Sequence, residues 1–164
     1  MPVWQSPELC SNTINDALKI VVKDRYTDSP LAVAFINGFC LKRGAFASSI
    51  AHDSHNIICV GVSDEDIVSI INAVDDMNGG LAVCDNGAVS NLKLEIGGIM
   101  TSESCIETVE KDLTLNKKIS QMGCPLKAPF MTFSFMALLV IPELKIGDKG
   151  LFDVISFSKT KLFS

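Results

Sequence analysis

The sequence predicts an α+β domain: a mixed or antiparallel sheet built from hairpins, with helices packed on one face. Three observations predict it. Short apolar or β-branched runs recur between turn signals, as in Leu18–Lys23 and Asn56–Val62. Two segments carry apolar residues at helical spacing behind a capping serine. In Ala88–Ile96, Leu92, Leu94 and Ile96 alternate with Asn91, Lys93 and Glu95, the pattern of a strand wet on one side.

The elements follow in order. Residues 1–15 hold two prolines and polar residues and read as a lead-in segment. Leu18–Lys23 is a first strand, ending at Asp24-Arg-Tyr26 and a turn at Asp28-Ser-Pro30. Leu31–Ile36 is a second strand, followed by Asn37-Gly38, a hairpin signal because a type I′ turn wants positive φ at both central residues. Ala45–Ala51 is a third extended stretch and Asn56–Val62 a buried fourth strand. Ser63-Asp-Glu-Asp66 caps a helix whose dipole favours acids at that end, and Ile67, Ile70, Ile71, Val74 and Met77 mark its buried side up to Asn78-Gly-Gly80. Leu81–Cys84 and Ala88–Ile96 flank a second hairpin turn, Asp85-Asn-Gly87. Ser102 is the expected cap of a second helix carrying Ile106, Val109, Leu113 and Met122, stopped by Gly123 with Pro125 beyond. Met131–Val140 fits a buried helix or a core strand equally, because periodicity does not separate the two. A turn at Gly147–Gly150 leads to a closing strand, Leu151–Phe157.

At 164 residues the chain is long enough for one domain with a real core. Hydrophobic residues at 48% and charged residues at 20% place it among globular proteins rather than disordered ones. The net charge is −5, and basic residues cluster no further than Lys42-Arg43 or Lys117-Lys118. Nucleic-acid binding and an anionic membrane surface both need a denser basic face, so neither partner is expected. The run Met131–Ile141 falls well short of the roughly 20 apolar residues that span a bilayer. Six cysteines stand 19 to 30 residues apart with no C-x-x-C pair, which disfavours a structural zinc site. Cys59 and Cys84 sit in apolar runs where a free thiol acts as a small hydrophobe. The first seven residues have no signal-peptide pattern, and the expected compartment is the reducing cytoplasm. The mean hydropathy of +0.33 leaves room for an apolar face covered by another domain or subunit.

Chemistry concentrates at Ala51-His-Asp-Ser-His-Asn56, which holds both histidines of the chain. Imidazole shuttles protons near neutral pH and ligates metals, so His52, Asp53, His55 and Asn56 are candidate catalytic residues and His52 and His55 candidate metal ligands. A loop whose side chains bond to nearby backbone accounts for the same pattern equally well. Lys42 and Arg43 beside Gly44 are candidates for holding an anionic substrate group, although adjacent basic residues are more often a solvated face. Phe130, Phe133 and Phe135 with Met131 and Met136 form a stripe that is more often core than a purine platform.

The run Gly38-Phe39, Leu41-Lys-Arg-Gly-Ala45, Ser48-Ser49 and Ala51-His-Asp-Ser-His-Asn-Ile57 resembles the C-terminal domain of microbial adenine deaminases. The likeness continues in order through Asp64-Glu-Asp66, Gly79-Gly80, Gly123-Cys-Pro125, Pro129-Phe-Met-Thr132, Ser134-Phe135, Ile141-Pro-Glu-Leu144 and Asp148-Lys-Gly150, with Asp24-Arg-Tyr26 ahead of it. It covers residues 16–157, leaving 158–164 as a tail. The resemblance implies membership of an amidohydrolase family that hydrolyses adenine to hypoxanthine and ammonia. Such enzymes use a (β/α)₈ barrel and divalent manganese or iron, which lowers the pKa of a bound water. The barrel's H-x-H pair is absent, and 164 residues are fewer than the ~200 a barrel needs. The chain therefore corresponds to the domain after the barrel, is expected to hold no metal tightly, and is expected to be inactive alone. Its expected partners are the barrel or a second subunit, with adenine as the ligand of the full enzyme. The histidine loop then borders the active site or the subunit interface. The alternatives are a non-catalytic interaction or oligomerisation module and a stand-alone small-molecule-binding remnant. A homodimer using Phe130, Phe133, Phe135 and Leu139 is expected from the apolar run.

Overall fold

The computed structural model describes residues 9–52 and 54–162. The chain enters β1 (Leu18–Lys23), turns into β2 (Ala32–Ile36), then forms β3 (Ala45–Ser48) and β4 (Ile57–Gly61). Helix α1 (Asp64–Asp76) leads to the hairpin β5 (Gly80–Asp85) and β6 (Ala88–Lys93), followed by α2 (Cys105–Gln121) and the short α3 (Pro129–Ser134). The first six strands make one antiparallel sheet in the order β2-β1-β4-β3-β5-β6. A separate antiparallel sheet of β7 (Leu144–Gly147), β8 (Gly150–Asp153) and β9 (Ser158–Lys159) closes the chain. The α+β class and the antiparallel, hairpin-rich sheet are those the sequence predicts.

The helices, however, are divided between the two faces of the large sheet instead of sharing one. Strand alternation explains the division. Val21, Ala45, Ala47, Ile57, Cys59, Ala82 and Cys84 point to one side, where Ile67, Ile70, Ile71 and Val74 of α1 cover them. Leu18, Ile20, Val22, Phe46, Ile58, Val60, Leu81 and Val83 point to the other, against Leu115 and Ile119 of α2 and Phe130 and Phe133 of α3. The inner strands are buried on both faces and leave no wet side, so exposure on one face appears at the sheet edges, in β6 and in β2, where Val33 is exposed between buried Ala32 and Ala34. Phe46 anchors the second face: its ring is 4.9 Å from Phe133 and 5.4 Å from Phe130, both edge-on, and 5.9 Å from Phe39.

Several boundaries differ from the sequence expectation for definite reasons. Asn37-Gly38 is not a hairpin, because β2 is an edge strand separated from β3 by β1 and β4. Its following loop is instead tied down by Asp16, whose carboxylate accepts from the backbone N–H groups of Gly38 and Cys40. Asp85-Asn-Gly87 does form the predicted turn, with positive φ at Asn86 (51°) and Gly87 (77°). Helix α1 starts at the predicted cap, Ser63 accepting from the Asp66 N–H at 3.2 Å. Helix α2 is capped by Ser104 rather than Ser102, because Ser104 and Glu107 form a reciprocal capping box. Its buried side is Leu115, Ile119 and Met122. Of the predicted stripe Met122 is buried, whereas the other three face outward, with Ile106 73%, Val109 48% and Leu113 61% exposed. Met131–Val140 resolves into the end of α3 and a 3₁₀ turn at Phe135–Ala137, and the closing strand is the shorter β8. Phe130 and Phe133 lie in the core, so neither is free to form the expected dimer surface; Phe135 remains exposed. No helix among the described residues is long and apolar enough to cross a membrane.

Replacing the central ring, Phe46→Ala, is expected to lower unfolding free energy by about 3–5 kcal/mol. Urea denaturation reads this directly. A loss under about 1 kcal/mol, the scale of a minor surface change, would show that the second face does not depend on this side chain.

Candidate functional site

The histidine loop joins the end of β3 to the start of β4, so it sits at one end of the large sheet. Antiparallel pairing brings three other connections to the same end: the exit of β1 at residues 24–27, the α1–β5 turn at 77–80, and the stretch after β6 at 94–102. Arg25 binds them together. Its Nη1 donates to the carbonyls of His55 (3.1 Å) and Gly97 (3.2 Å), and its Nη2 to that of Asn78 (3.0 Å). A guanidinium with five fixed donors is suited to gathering several carbonyls at once. Gly98 must be a glycine here, since its φ is +76° and an added Cβ would lie 2.4 Å from Arg25 Nη2.

The neighbours complete the frame. Asp24 accepts from the Tyr26 N–H at 2.9 Å and the Thr27 hydroxyl at 2.5 Å, which holds its carboxyl below the ordinary range, the Thr27 contact contributing most. Tyr26 donates its hydroxyl to the Ser54 carbonyl at 3.3 Å. Buried Ser49 donates to the Gly98 carbonyl and accepts from the Gly80 N–H at 2.7 Å. Glu95 accepts from the hydroxyl and backbone N–H of Ser102, contacts that pull its carboxyl down to about 2 and close the 95–102 loop.

Within this frame the two imidazoles are brought together, ring centroids 6.4 Å apart at 72°. His52 packs on Phe135 at 5.0 Å. His55 takes a left-handed φ of 52°, its N–H donating to the Ala51 carbonyl at 2.7 Å, and its Nδ1 is buried with no hydrogen-bond partner among the described residues. Asn56 is buried, and its Oδ1 accepts from the Arg25 N–H at 3.2 Å, so its amide is engaged in holding the loop. Asp53 lies outside the described residues. Two imidazoles provide two donors, and no cluster of three or more histidine, cysteine or acidic side chains is present among the described residues.

Lys42 and Arg43 stand at the opposite end of β3. Arg43 is paired in a fork with Asp85, at 2.6 and 3.0 Å, which raises the guanidinium pKa and lowers that of the carboxyl. Lys42 donates Nζ to the Thr13 carbonyl at 3.1 Å. Neither joins the histidine loop.

The profile of the adenine deaminase C-terminal domain matches residues 2–158. The chain belongs to this family. Adenine deaminase of Methanosarcina barkeri is 47% identical over 164 residues, all of this chain and 30% of that protein. Adenine deaminase of Sulfurovum sp. is 47% identical over 151 residues, and that of Desulfatibacillum aliphaticivorans 48% over 159, each alignment covering 28% of the relative. The chain thus spans under a third of the length of the adenine deaminases it matches, as the C-terminal domain of a larger enzyme.

Sequence reasoning located the histidines of this adenine deaminase domain but not Arg25. Its signal was present in Asp24-Arg-Tyr26, a polar triplet following an apolar strand, which reads there only as the strand's end. The Glu95–Ser102 contact is testable through pH. The folded Glu95 titrates near 2 against an ordinary 4.5, so its contribution is full above pH 4.5 and vanishes as pH falls toward 2. Glu95→Gln is expected to melt below the parent at pH 6, with the gap closing across that window. A gap of equal size at pH 6 and pH 2 would show that the ionised carboxylate is not what holds the loop.

Proposed function

We propose that this domain closes one side of the adenine-hydrolysing site of the larger enzyme, with His52 and His55 at the boundary. The manganese or iron of the reaction would then be held by the preceding barrel, outside this chain. One observation carries the reading: the chain's only two histidines stand side by side at the sheet end that Arg25 rigidifies, and buried His55 Nδ1 has no partner among the described residues. A buried ring nitrogen left unpaired is costly, and a polar group from the adjoining domain or the substrate would satisfy it. An imidazole so placed serves in proton transfer or in orienting the purine.

The exposed stripe Ile106, Val109 and Leu113 supports a second reading, an interaction or oligomerisation module, in which a homodimer uses α2. Six free cysteines accord with a reducing cytoplasm.

The test uses the full-length Methanosarcina barkeri enzyme, substituting the counterparts of His52 and His55 by alanine. A drop in kcat/KM of about 10²–10⁴-fold is expected, the range of a proton-transferring or positioning group, with the melting temperature little changed. Unaltered kcat/KM with a lowered melting temperature would make the loop structural.

A further inference from the structure

At the end of the sheet away from the histidine loop, the loop entering β3 runs against the connection between α2 and α3. The Lys42 N–H donates to the Met122 carbonyl at 2.8 Å. A Cβ added at Gly123 would lie 2.9 Å from the Cys40 carbonyl oxygen and 3.5 Å from the Lys42 nitrogen, so Gly123 faces the backbone between them, at Leu41. With Met122 beside Lys42 and Gly123 beside Leu41, the two segments run antiparallel, and Cys124 comes opposite Cys40. Residues directly opposite in antiparallel chains stand about 4.5–5.5 Å apart at Cα. That lies inside the span of about 4.4–6.8 Å that a disulfide bridges.

The side chains fit the same pairing. The Asp16 carboxylate accepts from the Cys40 N–H at 2.6 Å and from its thiol at 3.4 Å. Burial raises the Cys124 pKa most, and the Cys40 thiol and Asp16 carboxylate nearby raise it further, so both sulfurs border one charge. Both thiols are free, and the hydrogen bond to Asp16 keeps Cys40 protonated as burial does Cys124. The thiolate is the attacking form, so the resting pair is slow to oxidise. The two differ in access. Cys40 is half-buried and within reach of a reagent in solution, whereas Cys124 is buried and faces its neighbour.

We propose that Cys40 and Cys124 form a reversible disulfide latch, closed by exchange with a small disulfide such as glutathione disulfide. Cys40 attacks one glutathione sulfur, which makes a mixed disulfide and releases the first glutathione thiol. Cys124 then attacks the Cys40 sulfur, forming the Cys40–Cys124 bond and releasing the second. Both protein protons pass to the departing glutathione thiolates; two cysteines are oxidised and one glutathione disulfide is reduced. The latch ties the loop entering β3 to the end of α2. It lies apart from the paired imidazoles and is independent of the reading given above for them.

The test exposes the folded 164-residue chain, carrying Cys10→Ser and Cys105→Ser to remove the two exposed thiols, to excess glutathione disulfide. A pH of about 8 keeps the medium near the ordinary thiol pKa. Remaining thiols are then blocked, and the chain is cut with trypsin without reduction. Cleavage after Arg25, Lys42, Lys118 and Lys127 leaves Cys40 in residues 26–42 and Cys124 in residues 119–127. These peptides are expected as one linked species that dithiothreitol separates. The oxidised chain should melt several degrees above the reduced one, since the bond closes a long loop. Cys124→Ala should stop at the mixed disulfide on Cys40, and Cys40→Ser should leave Cys124 unmodified, with thermal melts confirming that each variant folds. Free thiols at both positions, linkage of either to Cys59 or Cys84, or a glutathione adduct that persists on Cys40 with Cys124 present would each overturn the proposal. A linked chain that melts below the reduced one would overturn it too, by showing that the cysteines do not face each other in the fold.

Discussion

The arrangement of the candidate site depends on one side chain, Arg25, whose guanidinium donates to carbonyls from three separate connections. Each of those connections is a loop outside the strands and helices. Loops of this kind are ordinarily the least protected parts of a domain. Here they share a single charged donor, and charge-assisted hydrogen bonds are about twice as strong as neutral ones. The surroundings match it in return: Gly98, at a φ of +76° that favours glycine, leaves room for the guanidinium, and Asp24 fixes the turn from which Arg25 projects.

The sheet underneath places these groups where one residue can reach all of them. Antiparallel order returns β1, β3 and the entries to β4 and β5 to the same end, so residues 30 to 72 positions apart in sequence meet at Arg25. The sheet is buried on both sides, by α1 on one and by α2 and α3 on the other, which keeps its end rigid. Helix α3 and its continuation belong to two features at once. Phe130 and Phe133 pack on Phe46, and the adjoining Phe135 supports His52.

Local rules explain what was legible in the sequence. Ser63 before an apolar 3.6-residue period marks α1 correctly because both cap and face are encoded within one turn of each other. Asn86-Gly87 marks its turn because few other residues tolerate two positive φ values in succession. Asn37-Gly38 has the same composition but serves a long connection, and that depends on strand order, which no local pattern carries. The outward face of α2 was misread for a related reason. Ile106, Val109 and Leu113 have the spacing of a buried stripe, and only the position of the sheet shows that they lie outside it. Both histidines were visible from their pairing in the sequence. Arg25 was not, since its partners are backbone carbonyls and leave no trace in residue type.

The central claim is that Arg25 holds these loops as one unit, and amide hydrogen exchange on the Arg25→Ala variant tests it most directly. Protection should fall together in residues 54–56, 77–80 and 95–99, while β3 and β4 retain parental rates. Loss confined to residues 24–27, with the three loops exchanging as in the parent, would contradict it.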